Sequence, residues 1–167
     1  MLLYHGSSVA VEQPKLLGQT RGLDFGAGFY TTSSESQATR FAEIVVKRRK
    51  GGIATVSVYD LDMEVAERTL SILRFASADV EWLRFIVENR LKTYQGISHD
   101  IVVGAVANDT VMPTIQAFVG GFLNEEATIG TLKTSKLSDQ ICLKSERALS
   151  LLHFIKAYET EGGPANG

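Results

Sequence analysis

The apolar residues of this chain fall in short runs, and strand-like and helix-like runs follow one another in no strict alternation. That pattern points to an α+β fold. It argues against a doubly wound nucleotide fold, which needs strands and helices in regular turn. Residues 2–5 read as a first strand, stopped by Gly6. Residues 6–28 are rich in glycine and polar groups and read as loop, and 29–32 is a short aromatic and β-branched strand. The best helix in the chain follows. Ser34 and Gln37 make a capping-box pair, and Ala38, Phe41, Ala42, Val45 and Val46 recur at helical spacing. Lys47, Arg48, Arg49 and Lys50 complement the helix dipole before Gly51 and Gly52 stop it.

Further along, 53–59 reads as a strand with Ala54, Val56 and Val58 on one face, and 79–92 as a helix turning Val80, Leu83, Val87 and Leu91 inward. Residues 100–106 form a continuous apolar strand. Asn108 or Asp109 is placed to cap a helix reaching Val119, with Pro113 early in it, and Asn124 to cap another. Residues 140–143 read as a strand. Over 145–158, Ala148, Leu149, Leu152 and Ile155 suit a helix, while 152–158 equally suits a strand.

A length of 167 residues fits one domain with one core, expected over 1–160; the tail 161–167 has turn and breaker composition and reads as loose. There is no internal repeat. The formal net charge of −2 leaves no positive surplus for non-specific nucleic-acid binding. Cys142 is the only cysteine, which excludes an internal disulfide, a zinc framework and a paired redox motif, and fits a reducing compartment. The first residues lack the charged start and apolar stretch of a signal peptide, and no apolar run approaches the ~18 residues that span a bilayer. The expectation is a cytoplasmic protein with no membrane association.

Three segments stand out together: Tyr4-His5-Gly6-Ser7, Phe25-Gly26-Ala27-Gly28-Phe29-Tyr30-Thr31-Thr32 and Ser138-Asp139-Gln140-Ile141-Cys142-Leu143. Their order and separation resemble the ADP-ribosyltransferase superfamily, in its His-Tyr-Glu branch. In that branch a histidine followed by glycine ends the first strand, a Gly-x-Gly-aromatic-Tyr segment leads into a helix, and a late strand begins with the third residue, usually glutamate. The chain is similar in particular to a bacterial, toxin-like family with this fold. Asp24-Phe25-Gly26, Ala107-Asn108-Asp109 and Leu137-Ser138-Asp139-Gln140 carry that closer likeness.

The resemblance implies a split β-sheet core flanked by helices, and NAD⁺ as substrate with no metal. It also implies a mono-ADP-ribosyltransferase that modifies a protein or nucleic-acid acceptor as a toxin or defence effector, with an antitoxin protein as partner. His5, Tyr30 and Gln140 are then the catalytic candidates. His5, Gly6, Ser7, Gly28, Phe29, Tyr30, Thr31 and Asp109 are the candidates for binding the cofactor. On this view His5 bonds a ribose hydroxyl, Gly6 brings backbone groups close to the nicotinamide amide, and Tyr30 offers a flat face to the nicotinamide ring. Gly26 and Gly28 turn the loop beneath the ligand.

Gln140 departs from the family pattern. A carboxamide hydrogen-bonds but neither ionises nor takes a proton. Any general base then comes from Asp139, Asp109 or the acceptor. Transfer to an already nucleophilic group, NAD⁺ hydrolysis, and a catalytically weak module that binds NAD⁺ or a partner all stay open. Each residue also has a plainer reading: His5 as a strand-end histidine, Tyr30 as a core aromatic, Asp109 as a helix cap, Asp24 as a turn former and Cys142 as a buried free thiol. Gly26-Ala27-Gly28 lacks the rest of a dinucleotide fingerprint, and His99 and His153 lack partners at metal-ligand spacing.

Overall fold

The computed structural model describes residues 1–16, 18, 22–108 and 110–161. Asp109 and most of the tail, 162–167, lie outside the described residues. The first strand, β1 (Leu2–Ser7), runs through His5 and Gly6 rather than stopping there. After a long loop come β2 (Phe29–Thr31) and α1 (Glu35–Arg49). Ser34 caps α1 by accepting from the Gln37 amide, and Lys50 ends it in the left-handed conformation. Next are β3 (Thr55–Leu61), α2 (Met63–Thr69), β4 (Ile72–Arg74), α3 (Val80–Arg90) and β5 (Ile101–Ala105). The chain continues through α4 (Met112–Val119), α5 (Glu125–Leu132), β6 (Asp139–Leu143), α6 (Glu146–Leu149) and β7 (Leu152–Glu159).

The fold is α+β, as the pattern of runs led us to expect, and its strands form two sheets. One is three-stranded and antiparallel, in the order β1-β3-β7. The other is four-stranded, β2-β6-β5-β4, antiparallel except where β4 lies parallel to β5. The sheets meet at one bridge between Tyr4 and Thr32, whose amides and carbonyls exchange hydrogen bonds of 2.9 and 3.0 Å. This seam between β1 and β2 positions the candidate site.

Strand alternation separates two cores on the four-stranded sheet. Val102 and Cys142 point to a core with Phe25, Trp82, Phe85 and Ile86, under α3 and α4. Ile101, Ile141 and Leu143 point to the other, with Leu3, Phe29, Tyr59 and Leu61. Trp82 is fully buried, and its indole N–H is satisfied by the Ala105 carbonyl at 3.0 Å. Removing such a ring costs about 3–5 kcal/mol, so α3 is pinned by this residue. No helix among the described residues is long and apolar enough to cross a membrane.

Several expectations change in detail. On α1 only Ala38 and Ala42 are fully buried while Phe41 is exposed, because α1 lies so close to β1 that small residues alone fit between them. On α3 the buried face is Trp82, Leu83, Phe85 and Ile86, and Leu91 is exposed. Asn108 does not cap α4. Its side chain accepts from the Thr110 amide at 3.0 Å in a preceding turn, and the helix begins at Met112 with no side-chain cap. Residues 145–158 realise both readings, a single-turn helix and then the edge strand β7. The elements α2 and β4 were not expected; they are short, and a strand of three residues carries no measurable period.

Candidate functional site

His5 lies on β1, half-buried, with its Nδ1 2.7 Å from the Tyr30 carbonyl oxygen and its ring 4.5 Å from that of Phe29. A carbonyl only accepts, so Nδ1 carries the proton. Burial pushes the imidazole below its ordinary pKa, which keeps the ring neutral. Its Nε2 is therefore a lone-pair acceptor, suited to a hydroxyl donor.

Tyr30 lies on β2 directly across the seam. Its hydroxyl donates to the Gly26 carbonyl at 2.5 Å and accepts from the Phe25 amide at 3.1 Å, and its ring stacks 6.5 Å from Phe25. Burial raises its pKa, so the phenol stays protonated. Tyr30 pairs with Cys142, and Gln140 is two residues along β6, so Tyr30, Cys142 and Gln140 share one sheet face. The Tyr4–Thr32 bridge puts His5 in step with Thr31 and Phe29, on the other face. The structure thus brings Tyr30 and Gln140 together on a face and joins His5 to them through the Tyr30 carbonyl.

Gly6 is the residue where the seam opens. The Tyr4 backbone bonds to β2, and by the alternation of an antiparallel ladder the Gly6 N–H and C=O turn the same way. No hydrogen bond joins Gly6 to β2 among the described residues. An amide donor and acceptor therefore lie side by side at the seam, next to His5 and across from Tyr30. Gly6 also answers to packing. A Cβ there would fall 2.0 Å from the Ala38 carbonyl oxygen of α1.

The remaining expected residues are engaged by the fold. The Ser7 hydroxyl closes a turn onto the Val9 carbonyl. Phe29 is buried against His5 and, edge-on at 5.7 Å, Tyr59. Thr31 donates to the Ile141 carbonyl at 2.9 Å. Gly28 fits because a Cβ would fall 2.3 Å from Cys142 Sγ, whereas Gly26 has a left-handed φ of 74° that favours glycine. Asp139 is committed to the turn into α1, accepting from the Thr32 hydroxyl at 3.0 Å and the Ser33 amide at 2.8 Å. Burial pushes the Cys142 thiol up to about 12, which makes it inert.

Gln140 pairs with Gly104 on β5. Its Nε2 is buried and has no hydrogen-bond partner of ordinary geometry among the described residues. The carboxamide is nonetheless near enough to the Asp24 carboxylate to favour its charged form.

Three residues at this face were not singled out from the sequence as site residues. Asp24 is buried and accepts from Arg90 Nε at 2.5 Å; desolvation raises its pKa despite that pairing. Arg90 is the last residue of α3. Lys144 follows β6 and donates to the Phe25 and Ala27 carbonyls, which clamps the glycine turn to the sheet. The Asp24-Phe25-Gly26 lead-in was a signal for the first; nothing local marked the other two. Hollows occur beyond these residues as well, one of them sharing Lys144 with the glycine turn. A groove of about 470 Å³ is lined by Val80, Glu125, Ile129 and Lys133, and a cavity of about 250 Å³ by Phe85, Asn89, Tyr94, His99 and Lys144.

A family model described as "Protein of unknown function (DUF3990)" matches residues 1–154. No curated protein and no solved structure matches the chain.

Proposed function

The chain belongs to the DUF3990 family, and from the resemblance of its motifs to ADP-ribosyltransferases, together with the geometry at the seam, we propose that it takes NAD⁺ as substrate and acts as a mono-ADP-ribosyltransferase. The observation that carries this reading is the Gly6 N–H and C=O at the seam, which make no bond to β2 among the described residues and are flanked by His5 and Tyr30. A primary carboxamide such as that of nicotinamide presents one acceptor and one donor on a single edge, the complement of that pair. The neutral His5 accepts from a ribose hydroxyl through Nε2. The buried Gln140 Nε2, without a hydrogen bond of ordinary geometry among the described residues, is a donor that a ribose oxygen can complete.

In the reaction, the bond between ribose C1′ and the nicotinamide nitrogen breaks, and its electron pair leaves with nicotinamide as a neutral base. The acceptor's nucleophile bonds to C1′ and loses its proton. The leaving group is already cationic, so no protein acid is needed; the site contributes grip and orientation. With water as acceptor the same site is an NAD⁺ glycohydrolase. Action in the cytoplasm as a toxin or defence effector, held in check by an antitoxin protein, rests on the resemblance alone.

The test is incubation of the protein with labelled NAD⁺ and whole-cell extract, with and without nuclease. Label on protein or on nucleic acid supports transfer and names the acceptor class, and free nicotinamide alone supports hydrolysis. An absence of label, of nicotinamide release, and of NAD⁺ binding by titration calorimetry overturns the proposal.

A further inference from the structure

Resting on that reading, we propose that Asp24, anchored by Arg90, is the positioning residue of the site: it lies beside the Gln140 carboxamide and supplies the negative charge that Gln140 lacks. A glutamate at 140 would join hydrogen bonding and charge in one side chain. Here the two are divided between Gln140 and Asp24, which come from distant parts of the chain onto one face.

The geometry gives Asp24 this place. It precedes Phe25, whose amide donates to the Tyr30 hydroxyl. A Cβ on Gly104, the β5 partner of Gln140, would fall 3.1 Å from Phe25 Cζ. The turn carrying Asp24 therefore roofs both Tyr30 and Gln140. Both Arg90 contacts, from Nε and from the terminal Nη2, fall on the same carboxylate oxygen at 2.5 Å. The Ala107 amide and the Gln140 side chain are the other neighbours of the carboxylate.

The pair is unequal. The Asp24 side chain is 9% exposed and that of Arg90 is 35% exposed. Water screens the guanidinium more than the carboxylate, so the field felt inside the site is that of Asp24. A buried ion pair with one side in water is a poor device for stability alone, since desolvating the carboxylate offsets much of the attraction. It is an effective device for placing charge where a ribose gains positive character in the transition state.

The test uses the full chain, NAD⁺ and nicotinamide release, beside nuclear magnetic resonance of the Gln140 side-chain amide. Asp24→Asn combined with Arg90→Gln removes the charge without leaving a buried guanidinium unpaired. We expect kcat to fall roughly tenfold or more with KM changed by less than about threefold. Adding Gln140→Glu to that pair is expected to restore kcat to within about threefold of wild type. Asp24→Asn alone is expected to move the Gln140 amide resonances. An unchanged kcat in the double variant, or a folded triple variant without rescue, overturns the proposal, as do unmoved Gln140 resonances. A wild type that neither binds nor cleaves NAD⁺ overturns the enzymatic reading and this role with it, while the resonances still report the Asp24–Gln140 contact on their own.

Discussion

Gly6→Ala puts a methyl carbon 2.0 Å from the Ala38 carbonyl oxygen and 2.9 Å from the Ala42 amide nitrogen. Both neighbours are backbone atoms of α1, so no change of rotamer relieves the clash. Restoring ordinary contact at 3.4 Å requires the helix to lift or β1 to bend by more than an ångström. Either movement opens the layer in which Ala38, Val56 and Val58 pack. Overpacking costs typically about 1–3 kcal/mol, and backbone against backbone belongs at the upper end. For a domain of this size, ~3 kcal/mol lowers Tm by about 6–12 °C. Gly130→Ala is the control. Gly130 is exposed on α5 with nothing within 4 Å of its would-be Cβ, so alanine there stabilises by about 0.5–1 kcal/mol. Thermal unfolding followed by far-ultraviolet circular dichroism measures both. A Gly6→Ala protein melting within about 2 °C of wild type would refute the packing argument and leave Gly6 as a ligand residue only.

Three further outcomes follow from the same structure. His5 has a folded-state pKa lowered below 6.5, so the unfolded chain binds the proton more readily. Stability from the neutral ring is complete above pH 6.5 and is lost as pH falls through the lowered value; Tm profiles of wild type and His5→Gln should converge on acidification, and parallel profiles would count against the assignment. Gln140→Met removes the amide that lies beside the Asp24 carboxylate and should reduce NAD⁺ turnover in a protein that still folds, so an unchanged turnover would mean that the amide does not act at the site. Cys142 is fully buried with its thiol pushed up to about 12, and it should resist a thiol reagent at pH values near neutral until denaturant is added; rapid native labelling would contradict that burial.

What the sequence made legible was what local chemistry encodes. Ser34 and Gln37 announced the start of α1, and Asn124 that of α5, because a cap is a contact between near neighbours. The alternation in 53–59 announced a strand but not that β3 is central and buried on both faces, since its place depends on β1 and β7 pairing with its edges and its burial on α1 and the second core packing against its faces. Asp24 illustrates the limit at the site. As a residue in a loop it reads as a turn former, and its burial follows from Arg90, 66 positions away. Asp139 shows the converse: beside Gln140 it reads as one source of a base, and the structure adds what the sequence did not carry, that its oxygens accept from Thr32 and Ser33 across the sheet. Gly6 read as a place for close approach, and the approaching body includes a helix as well as the open seam.

The protonation states at this site bear on which reactions it suits. His5 is neutral, Gln140 cannot ionise, and the Tyr30 phenol and Cys142 thiol are both held protonated by burial. None of these four groups is an efficient proton carrier near neutral pH. Among the described residues, the charges at the Tyr30–Gln140 face are the Asp24–Arg90 pair and Lys144, and Lys144 is bound to two carbonyls of the glycine turn. Such a site grips hydroxyls and amides and sets a field; it does not move protons well. A reaction suited to it needs a leaving group that departs without being protonated and an acceptor that is nucleophilic already. Cleavage of NAD⁺ at the nicotinamide bond meets the first condition, because the departing ring carries its own positive charge. The second condition favours acceptors with a lone pair available at neutral pH, such as a ring nitrogen of a base or a neutral side chain, over an alcohol that must first lose its proton.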